Sequence, residues 1–180
     1  MQLILVRHPQ PEIGAGICYG SSDLPASSAA IARVVDDLRA AGLPGGLPVY
    51  ASPLARCADL ARQLATRVRL DARLAEMDFG AWELRPWEAI PRAEVDAWAA
   101  DLLHYRPGGG ENVLAVAARV AAFRDELHGA GHGAALLVCH AGTMRLLSAL
   151  YEGSALEQGA LRAAASAHRI GYGEVIVLKD

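Results

Sequence analysis

The chain has little net charge and almost no lysine, and both facts limit the partners we expect. Its 180 residues include 20 Asp and Glu against 17 Lys and Arg, which gives a formal net charge of −3 at pH 7. That balance offers no electrostatic reason to expect nucleic acid or an anionic membrane as a partner. Nearly all the cations are arginine, whose forked guanidinium suits phosphate and carboxylate groups. Any anion site must therefore be local and built from a few arginines.

Cysteines are few, and no long apolar run is present. Cys18, Cys57 and Cys139 are odd in number and share no C-x-x-C spacing, so we predict buried free thiols rather than a disulfide framework or a zinc site. No stretch approaches the roughly 20 apolar residues of a membrane span. The opening apolar run ends at Arg7 with no basic segment before it, which is unlike a secretory signal. We expect a cytoplasmic protein.

Strand-like and helix-like segments alternate along the chain. Hydrophobic residues make up 53% of it, which argues against disorder, and the absence of repeats and linkers predicts one domain over residues 1–180. Predicted strands cover residues 2–6, 47–51, 68–70, 134–139 and 174–178. Predicted helices cover residues 28–41, 53–64, 111–128 and 143–150, with Ser52 as the N-cap of the second. A helical excursion is expected at about residues 85–107, and the Ala-rich stretch 159–167 shows too little pattern to assign.

This order of elements predicts an α/β fold in the form of a three-layer α/β/α sandwich around a mostly parallel sheet. The last strand follows a short, poorly helical connection, so we expect it to be an antiparallel edge strand. The loop over residues 9–25 is rich in Pro and Gly and long for a compact domain. Loops of that length are often functional.

Two of the predicted strands run directly into histidine. The first leads into Arg7 and His8, and the fourth leads into His140. Because the carboxyl ends of parallel strands line the ligand crevice of an open α/β sheet, both imidazoles should reach one edge. The helix after His140 begins with unpaired N–H groups, which suit an anionic oxygen. The sequence therefore predicts a pocket that holds and attacks an anion.

Two more side chains reach this edge if the first, second and fourth strands are neighbours. Arg56 lies in the first turn after the second strand, and Glu76 lies in the loop after the third. Guanidinium groups and helix-end amides stabilise a phosphoryl group in transfer, and an imidazole nitrogen can attack its phosphorus. A carboxylic acid can protonate the leaving alkoxide if its surroundings are partly dry. We expect Phe79 and Trp82 to supply such surroundings.

Four segments resemble the signature segments of the histidine phosphatase superfamily, in its phosphoglycerate-mutase-like branch. They occur in the family's order, and the likeness extends from residue 3 to about residue 150. The segments are Leu5–His8, Ser52–Arg56, Glu76–Glu83 and Val138–Gly142.

The resemblance implies a phosphoglycerate-mutase-like fold and a metal-independent phosphomonoesterase that needs no cofactor. It implies that His8 is the phosphorylated nucleophile and that Arg7 and Arg56 are phosphate ligands. His140 becomes the second histidine of the phosphate pocket, and Glu76 becomes the proton donor. The family's mutases are usually longer than this chain, which favours a phosphatase.

The segment over residues 16–25 further resembles α-ribazole-5′-phosphate phosphatases of cobalamin-type nucleotide-loop assembly. This implies a small phosphorylated metabolite as substrate, with α-ribazole 5′-phosphate first. The candidate substrate-binding residues are Tyr19, Gly20, Ser21, Arg85 and Ala141. Two alternatives stay open, namely a phosphoglycerate mutase and a catalytically weak relative that only binds phosphorylated ligands. A homodimer also stays open.

The chain departs from the family's pattern at several positions. Pro9 stands where the family usually has Gly after the nucleophilic histidine, and Leu84 stands where it usually has Gly after Trp-Glu. Gly14 replaces an Asn that often binds phosphate, so we consider Gln10 as a substitute.

Some polar and aromatic side chains have a more ordinary interpretation. We predict that Asp78 caps a local turn. Trp82, Trp87 and Trp98 occur at near-helical intervals, which is more typical of a core than of a platform for a sugar or base.

Overall fold

The computed structural model describes residues 1–166 and 170–179, and it confirms the predicted α/β fold with a mostly parallel sheet. The five strands are β1 (Gln2–Arg7), β2 (Val49–Ala51), β3 (Val68–Leu70), β4 (Ala134–Cys139) and β5 (Val175–Lys179). Their order in the sheet is β3-β2-β4-β1-β5. The pairs β1–β4, β2–β4 and β2–β3 are parallel, and β5 pairs antiparallel with β1 at the edge, as predicted.

Helices cover both faces of this sheet. They are α1 (Ser28–Ala40), α2 (Ala55–Leu64), α3 (Arg92–Ala100), α4 (Val113–Gly129), α5 (Ala141–Tyr151) and α6 (Leu156–Ala165). The predicted excursion contains α3 and a 3₁₀ turn at Trp87–Ala89. No helix among the described residues is long and apolar enough to cross a membrane.

The side chains of β1 show how the core is divided. Leu3 and Leu5 are fully buried against the helices α4, α5 and α6, whereas Ile4 and Val6 pack with α1 and α2. A strand that is buried on both faces consists of a continuous run of apolar residues. This is why β1 and β4 were recognisable in the sequence. All three cysteines are free and buried, as predicted.

The Ala-rich stretch near the C-terminus forms most of α6. Ala160 and Ala163 are buried against the neighbouring helices. Small side chains allow a close approach of helices but carry little hydrophobic contrast, so the stretch showed no clear periodicity. Ala167, at the end of that stretch, lies outside the described residues.

The predicted start of α2 is wrong. The helix begins at Ala55 with Leu54 as its N-cap residue, not with Ser52. The backbone N–H of Ala55 donates to Oδ1 of Asp23 at 2.7 Å, so the long loop over residues 9–25 supplies the cap. A carboxylate at a helix N-terminus is favoured by the unpaired N–H groups there. The hydroxyl of Ser52 accepts from the N–H of Leu54 at 3.3 Å, before the helix begins.

Candidate active site

The carboxyl ends of β1, β4 and β2 lie side by side, as the sequence predicted for the first, fourth and second strands. His8 follows β1, and His140 follows β4 as the N-cap residue of α5. The centroids of the two imidazole rings are 5.0 Å apart, and the rings are tilted by 59°. Both side chains are buried. The two rings therefore face one small space, as the anion-pocket hypothesis requires.

The hydrogen bond of His8 determines where its proton lies. Nδ1 is 2.7 Å from the carbonyl oxygen of Pro9. Because a carbonyl only accepts, Nδ1 carries the hydrogen, and the neutral ring has its lone pair on Nε2. Burial, together with the positive charges of Arg56 and Arg7, lowers the pKa of His8 to about 3. His8 is therefore neutral near pH 7 with an unprotonated Nε2, and Pro9 contributes its carbonyl although it lacks an N–H.

Two side chains contact a ring nitrogen of His140. Its Nε2 lies 2.9 Å from Oγ of Ser52 and 3.4 Å from Sγ of Cys57. Burial lowers the pKa of His140 well below its usual value, and electrostatic interactions with His8 and with the positive charge of Arg56 act in the same direction. This imidazole is therefore neutral near pH 7, and a neighbouring anion would favour its protonated form.

Ser52 was missed as a site residue because it was interpreted as a helix cap. It is fully buried, and it directly follows a strand at the same sheet edge as His8. The position after a strand, which identified both histidines, was the signal that could have found it.

Arg7 and Arg56 bring two buried guanidinium groups to the same edge. Arg56 donates to the carbonyl oxygens of Gly20 at 2.6 Å and Ser22 at 2.7 Å, which fixes the long loop over the site. The buried Nε atoms of Arg7 and Arg56 have no hydrogen-bond partner among residues 1–166 and 170–179. Buried N–H groups are rarely left unpaired in native structures. An anion bound between the two arginines would give each Nε–H group the hydrogen-bond acceptor that it lacks.

Glu76 is placed at the start of α5. Its Oε2 accepts from the backbone N–H of Gly142 at 3.0 Å, and its Oε1 accepts from that of Met77 at 3.1 Å. A Cβ atom on residue 142 would lie only 2.4 Å from Oε1, so a side chain there would displace the Glu76 carboxyl group from this position. The carboxyl group lines the same cavity as His8 and His140.

Arg119, which the sequence reasoning missed, holds the segment that carries Glu76. It donates to the carbonyl oxygens of Arg73 and Ala75 at 2.8 Å and to that of Glu76 at 3.2 Å. Glu111 accepts two hydrogen bonds from the same guanidinium at 2.9 Å. Nothing in the local sequence of α4 indicates this role, because every partner except Glu111 is a backbone oxygen far along the chain.

The predicted substrate-binding residues fall into two groups. Tyr19 and Ala141 line a cavity of about 410 Å³ that also contains the side chains described above. Gly20, Ser21 and Arg85 do not line it. Ser21 donates to Asp78 at 3.1 Å, and Arg85 donates to the carbonyl oxygen of Ala89 at 2.5 Å.

The loop over residues 20–22 is shaped by one carboxylate. Glu83 accepts from the backbone N–H groups of Gly20 and Ser21 at 3.0 Å and of Ser22 at 3.2 Å. Burial on its own would raise the pKa of Glu83, but these hydrogen bonds and those from the Ser22 hydroxyl and Phe79 hold it below the usual value. A side chain on residue 20 would meet the carbonyl oxygen of Met77 at 1.9 Å, so only glycine fits there.

Several secondary predictions can also be located. Asp78 caps its turn as predicted, by accepting from the N–H of Gly80 at 2.8 Å. Gln10 is exposed and does not line the cavity, so the structure gives no support to it as a substitute phosphate ligand.

The aromatic predictions need correction at three positions. Trp82 is buried in the core and does not line the cavity, so Phe79 alone of the two expected residues shields the site. Trp87 and Trp98 were predicted to be core residues, but both line the cavity. The near-helical spacing was misleading because a 3₁₀ turn and a separate helix carry them.

Among residues 1–166 and 170–179, no group of three or more His, Cys, Asp or Glu side chains is arranged to hold a metal ion. The chemistry that these residues themselves offer is a neutral imidazole nucleophile, a second imidazole opposite it, two guanidinium groups and a carboxyl group. All five side chains predicted as catalytic line one cavity.

The chain matches the family model described as histidine phosphatase superfamily (branch 1) over residues 3–174. The bifunctional protein Rv2228c of Mycobacterium tuberculosis is 34% identical over 148 residues, which are 76% of this chain and 40% of that protein. This chain therefore spans well under half the length of that curated relative.

Solved structures show the same fold over nearly the whole chain. The alpha-ribazole phosphatase from Shigella flexneri superposes with a TM-score of 0.82 at 27% identity, over 99% of this chain and 90% of that one. A mycobacterial glucosyl-3-phosphoglycerate phosphatase, Rv2419c, in a complex with VO3, also gives a TM-score of 0.82, at 26% identity over 99% of this chain and 92% of that one.

Proposed function

Because the chain belongs to the histidine phosphatase superfamily (branch 1), we propose that it hydrolyses phosphate monoesters through a phosphohistidine at His8. The observation that carries the proposal is the pair of buried imidazoles, 5.0 Å apart, with the Nδ1 proton of His8 held by a carbonyl. That arrangement leaves Nε2 of His8 free to attack and places a second imidazole opposite it. Phosphatases among the similar structures support the same reaction class.

In the first step, Nε2 of His8 attacks phosphorus, an N–P bond forms, and the ester P–O bond breaks. The electron pair of that bond leaves with the alkoxide oxygen, which takes a proton from the carboxyl group of Glu76. Arg7 and Arg56 stabilise the charge on the phosphoryl oxygens. His140, protonated in the presence of the dianion, donates to one of those oxygens.

In the second step, water replaces the alcohol. The Glu76 carboxylate takes a proton from the water, whose oxygen attacks phosphorus as the N–P bond breaks. Inorganic phosphate leaves and Nε2 of His8 regains its lone pair. The cycle returns both residues to their starting protonation states, and every proton is accounted for by Glu76 and the water.

For the substrate, we propose a small phosphorylated metabolite, with α-ribazole 5′-phosphate as the first candidate. The support is the resemblance of residues 16–25 to α-ribazole-5′-phosphate phosphatases and the overall similarity to the Shigella enzyme. We place this activity in the cytoplasm.

The test uses an aryl phosphate, a chelator and one pair of variants. Wild-type protein should release phosphate with EDTA present, and brief reaction with a ³²P-labelled ester should leave an acid-labile label on the protein. His8→Ala should lose both, whereas His104→Ala, which removes a largely exposed histidine, should keep both. Full activity in His8→Ala would overturn the mechanism, and loss of wild-type activity with EDTA would favour a metal hydrolase.

A coupled assay that interconverts phosphoglycerates tests the mutase alternative. The phosphatase proposal predicts release of inorganic phosphate without interconversion. Fast interconversion with little phosphate release would favour a mutase. Turnover of neither substrate would favour a relative that only binds phosphorylated ligands.

A further inference from the structure

The cavity extends well beyond the groups that would hold a phosphoryl group. Its inner end carries His8, His140, Arg7 and Arg56. Its outer wall is apolar and comes from the loop over residues 9–25, the excursion and the start of α4. The apolar residues of this outer wall include Ile17, Phe79, Trp87, Trp98 and Leu102. In a phosphate monoester the only group outside the phosphoryl moiety is the alcohol, so this wall faces the leaving group.

Three of these outer residues form an aromatic surface. The rings of Trp87 and Trp98 are almost parallel, with 5° between their planes and centroids 6.4 Å apart. Phe79 meets both of them edge-on, with centroids 6.2 Å from Trp87 and 5.9 Å from Trp98. Trp87 remains 40% exposed although it is among the largest apolar side chains. Exposed aromatic surface beside a cavity suits a flat ring.

The backbone of Trp87 is held by contacts that do not involve its ring. Its N–H donates to the carbonyl oxygen of Gly16 at 2.9 Å, and Ile17 forms an antiparallel bridge with Pro86. Behind it, the indole of Trp82 is buried and donates to Glu94 at 2.6 Å. The wall is therefore preformed, and loss of the Trp87 ring should leave its support in place.

The outer wall offers little to a carboxylated leaving group. Arg145 is the one cation that the described part of the cavity contains besides the pocket arginines and histidines. It donates to the hydroxyl of Ser166 at 3.0 Å and to the carbonyl oxygens of Ala163, Ala164 and Ser166. Those carbonyl oxygens belong to the C-terminal end of α6, where a cation is favoured in any case. Much of the Arg145 guanidinium is thus already engaged.

We propose that Trp87, with Phe79 and Trp98, makes this site selective for phosphate monoesters whose alcohol carries a planar aromatic ring. This inference rests on the proposed function and adds the residues that select the substrate. The ring stacks on the tryptophan surface while the phosphoryl group lies between the imidazoles. An ester that lacks the ring keeps the reacting groups but loses the outer contact.

The experiment compares two esters that differ only in the ring. One is a benzimidazole riboside 5′-phosphate, and the other is ribose 5-phosphate. Wild-type protein should favour the first about tenfold in kcat/KM, since stacking on an aromatic side chain contributes about that much. Trp87→Ala should remove most of the preference by raising KM for the ring-bearing ester much more than KM for ribose 5-phosphate.

Two further variants control for folding. Trp87→Leu keeps an apolar side chain without the aromatic face and should also lose the preference. Leu84→Ala removes an exposed apolar side chain of the same segment that does not line the cavity, and it should keep the preference.

Three results would overturn the inference: equal turnover of the two esters by wild-type protein, a preference for 3-phosphoglycerate over the ring-bearing ester, or an unchanged preference in both Trp87 variants. Failure of the proposed function is distinguishable, because wild-type protein would then release phosphate from none of these esters.

Discussion

The hydroxyl groups of Tyr19 and Tyr172 lie 2.9 Å apart, and each ring packs on one arginine of the anion pocket. The Arg7 guanidinium lies 4.0 Å from the centroid of Tyr172, and that of Arg56 lies 5.6 Å from the centroid of Tyr19. The contact between the two tyrosine hydroxyls therefore joins the loop over residues 9–25 to the segment before β5, next to His8. Tyr172 did not emerge from the sequence, because it lies outside every recognised motif.

Tyr172→Ala should weaken the pocket by removing the ring that orients Arg7. We expect the inhibition constant of vanadate to rise about 3- to 10-fold, the size of a partly exposed cation–π contact. Tyr172→Phe keeps the ring and loses only the contact with the Tyr19 hydroxyl, so its inhibition constant should stay near that of wild-type protein. Equal effects of the two substitutions would show that the ring does not orient Arg7.

Glu76→Gln should slow the first chemical step. The loss of rate should be larger for an ester whose leaving oxygen must be protonated than for one whose leaving oxygen is stable as an anion. We expect a loss of about 100- to 10,000-fold with an alkyl phosphate and a much smaller loss with a nitrophenyl phosphate, whose leaving oxygen is stable as an anion. Rapid-quench measurement of phosphoenzyme formation isolates this step from hydrolysis. Glu88→Gln, an exposed carboxylate of the excursion, is the control. The same loss with both esters would contradict the role of Glu76 as acid.

The five predicted catalytic residues were recognisable because local signals mark them. His8 and His140 follow apolar strands, and Arg56 begins a helix after another strand, so the rule for parallel sheets brings them to one edge. The motif order then added Glu76. Ser52 also follows a strand, but it was interpreted as a helix cap, whereas the carboxylate that caps α2 belongs to Asp23 in a distant loop.

Arg119 marks the limit of such reasoning. Its partners are mostly backbone carbonyl oxygens, which have no sequence signature. A residue whose function lies in contacts to distant backbone becomes visible only once the chain is folded. Trp87 and Trp98 show the related limit for apolar residues, because periodicity does not distinguish a core wall from a cavity wall.

Arg119→Lys keeps the charge but loses the forked geometry that reaches three carbonyl oxygens and Glu111 at once. We expect the free energy of unfolding to fall by about 2 to 3 kcal/mol, since hydrogen bonds to a charged group are lost. We also expect kcat to fall while KM stays nearly constant, because Glu76 is displaced but the anion pocket is intact. Urea unfolding and steady-state kinetics measure the two effects. A change in KM alone would contradict the positioning role.

Anion binding should take up protons. Burial lowers the pKa of His140 well below its usual value, so the ring is neutral at pH 6.5 before an anion binds. A bound dianion favours the charged imidazole and raises that pKa, so the ring gains a proton as the anion enters. Sulfate serves as the probe, because it does not titrate in this range. Calorimetry in buffers of different ionisation enthalpy measures the uptake.

The uptake should shrink in His140→Gln and persist in His104→Ala, whose ring is largely exposed. Binding of sulfate to wild-type protein with no buffer dependence of the enthalpy would mean that neither imidazole changes its charge.

Leu84 stands where the family usually has glycine, and the structure shows why glycine suits the position. Its φ is 63°, and no other non-glycine residue in the described part of the chain has a positive φ. The conformation is held by backbone hydrogen bonds, including one from the Leu84 N–H to the carbonyl oxygen of Cys18 at 2.8 Å. A Cβ atom in the left-handed region costs about 1 to 2 kcal/mol.

Leu84→Gly should therefore raise the free energy of unfolding by about 0.5 to 1 kcal/mol, because the relief of strain exceeds the added flexibility of the unfolded chain. Little packing is lost, since Leu84 is 54% exposed. Leu84→Ala keeps the Cβ atom and should give no gain. Urea unfolding of the two variants beside wild-type protein measures the difference, and equal stabilities of Leu84→Gly and Leu84→Ala would show that strain at this residue is not what limits stability.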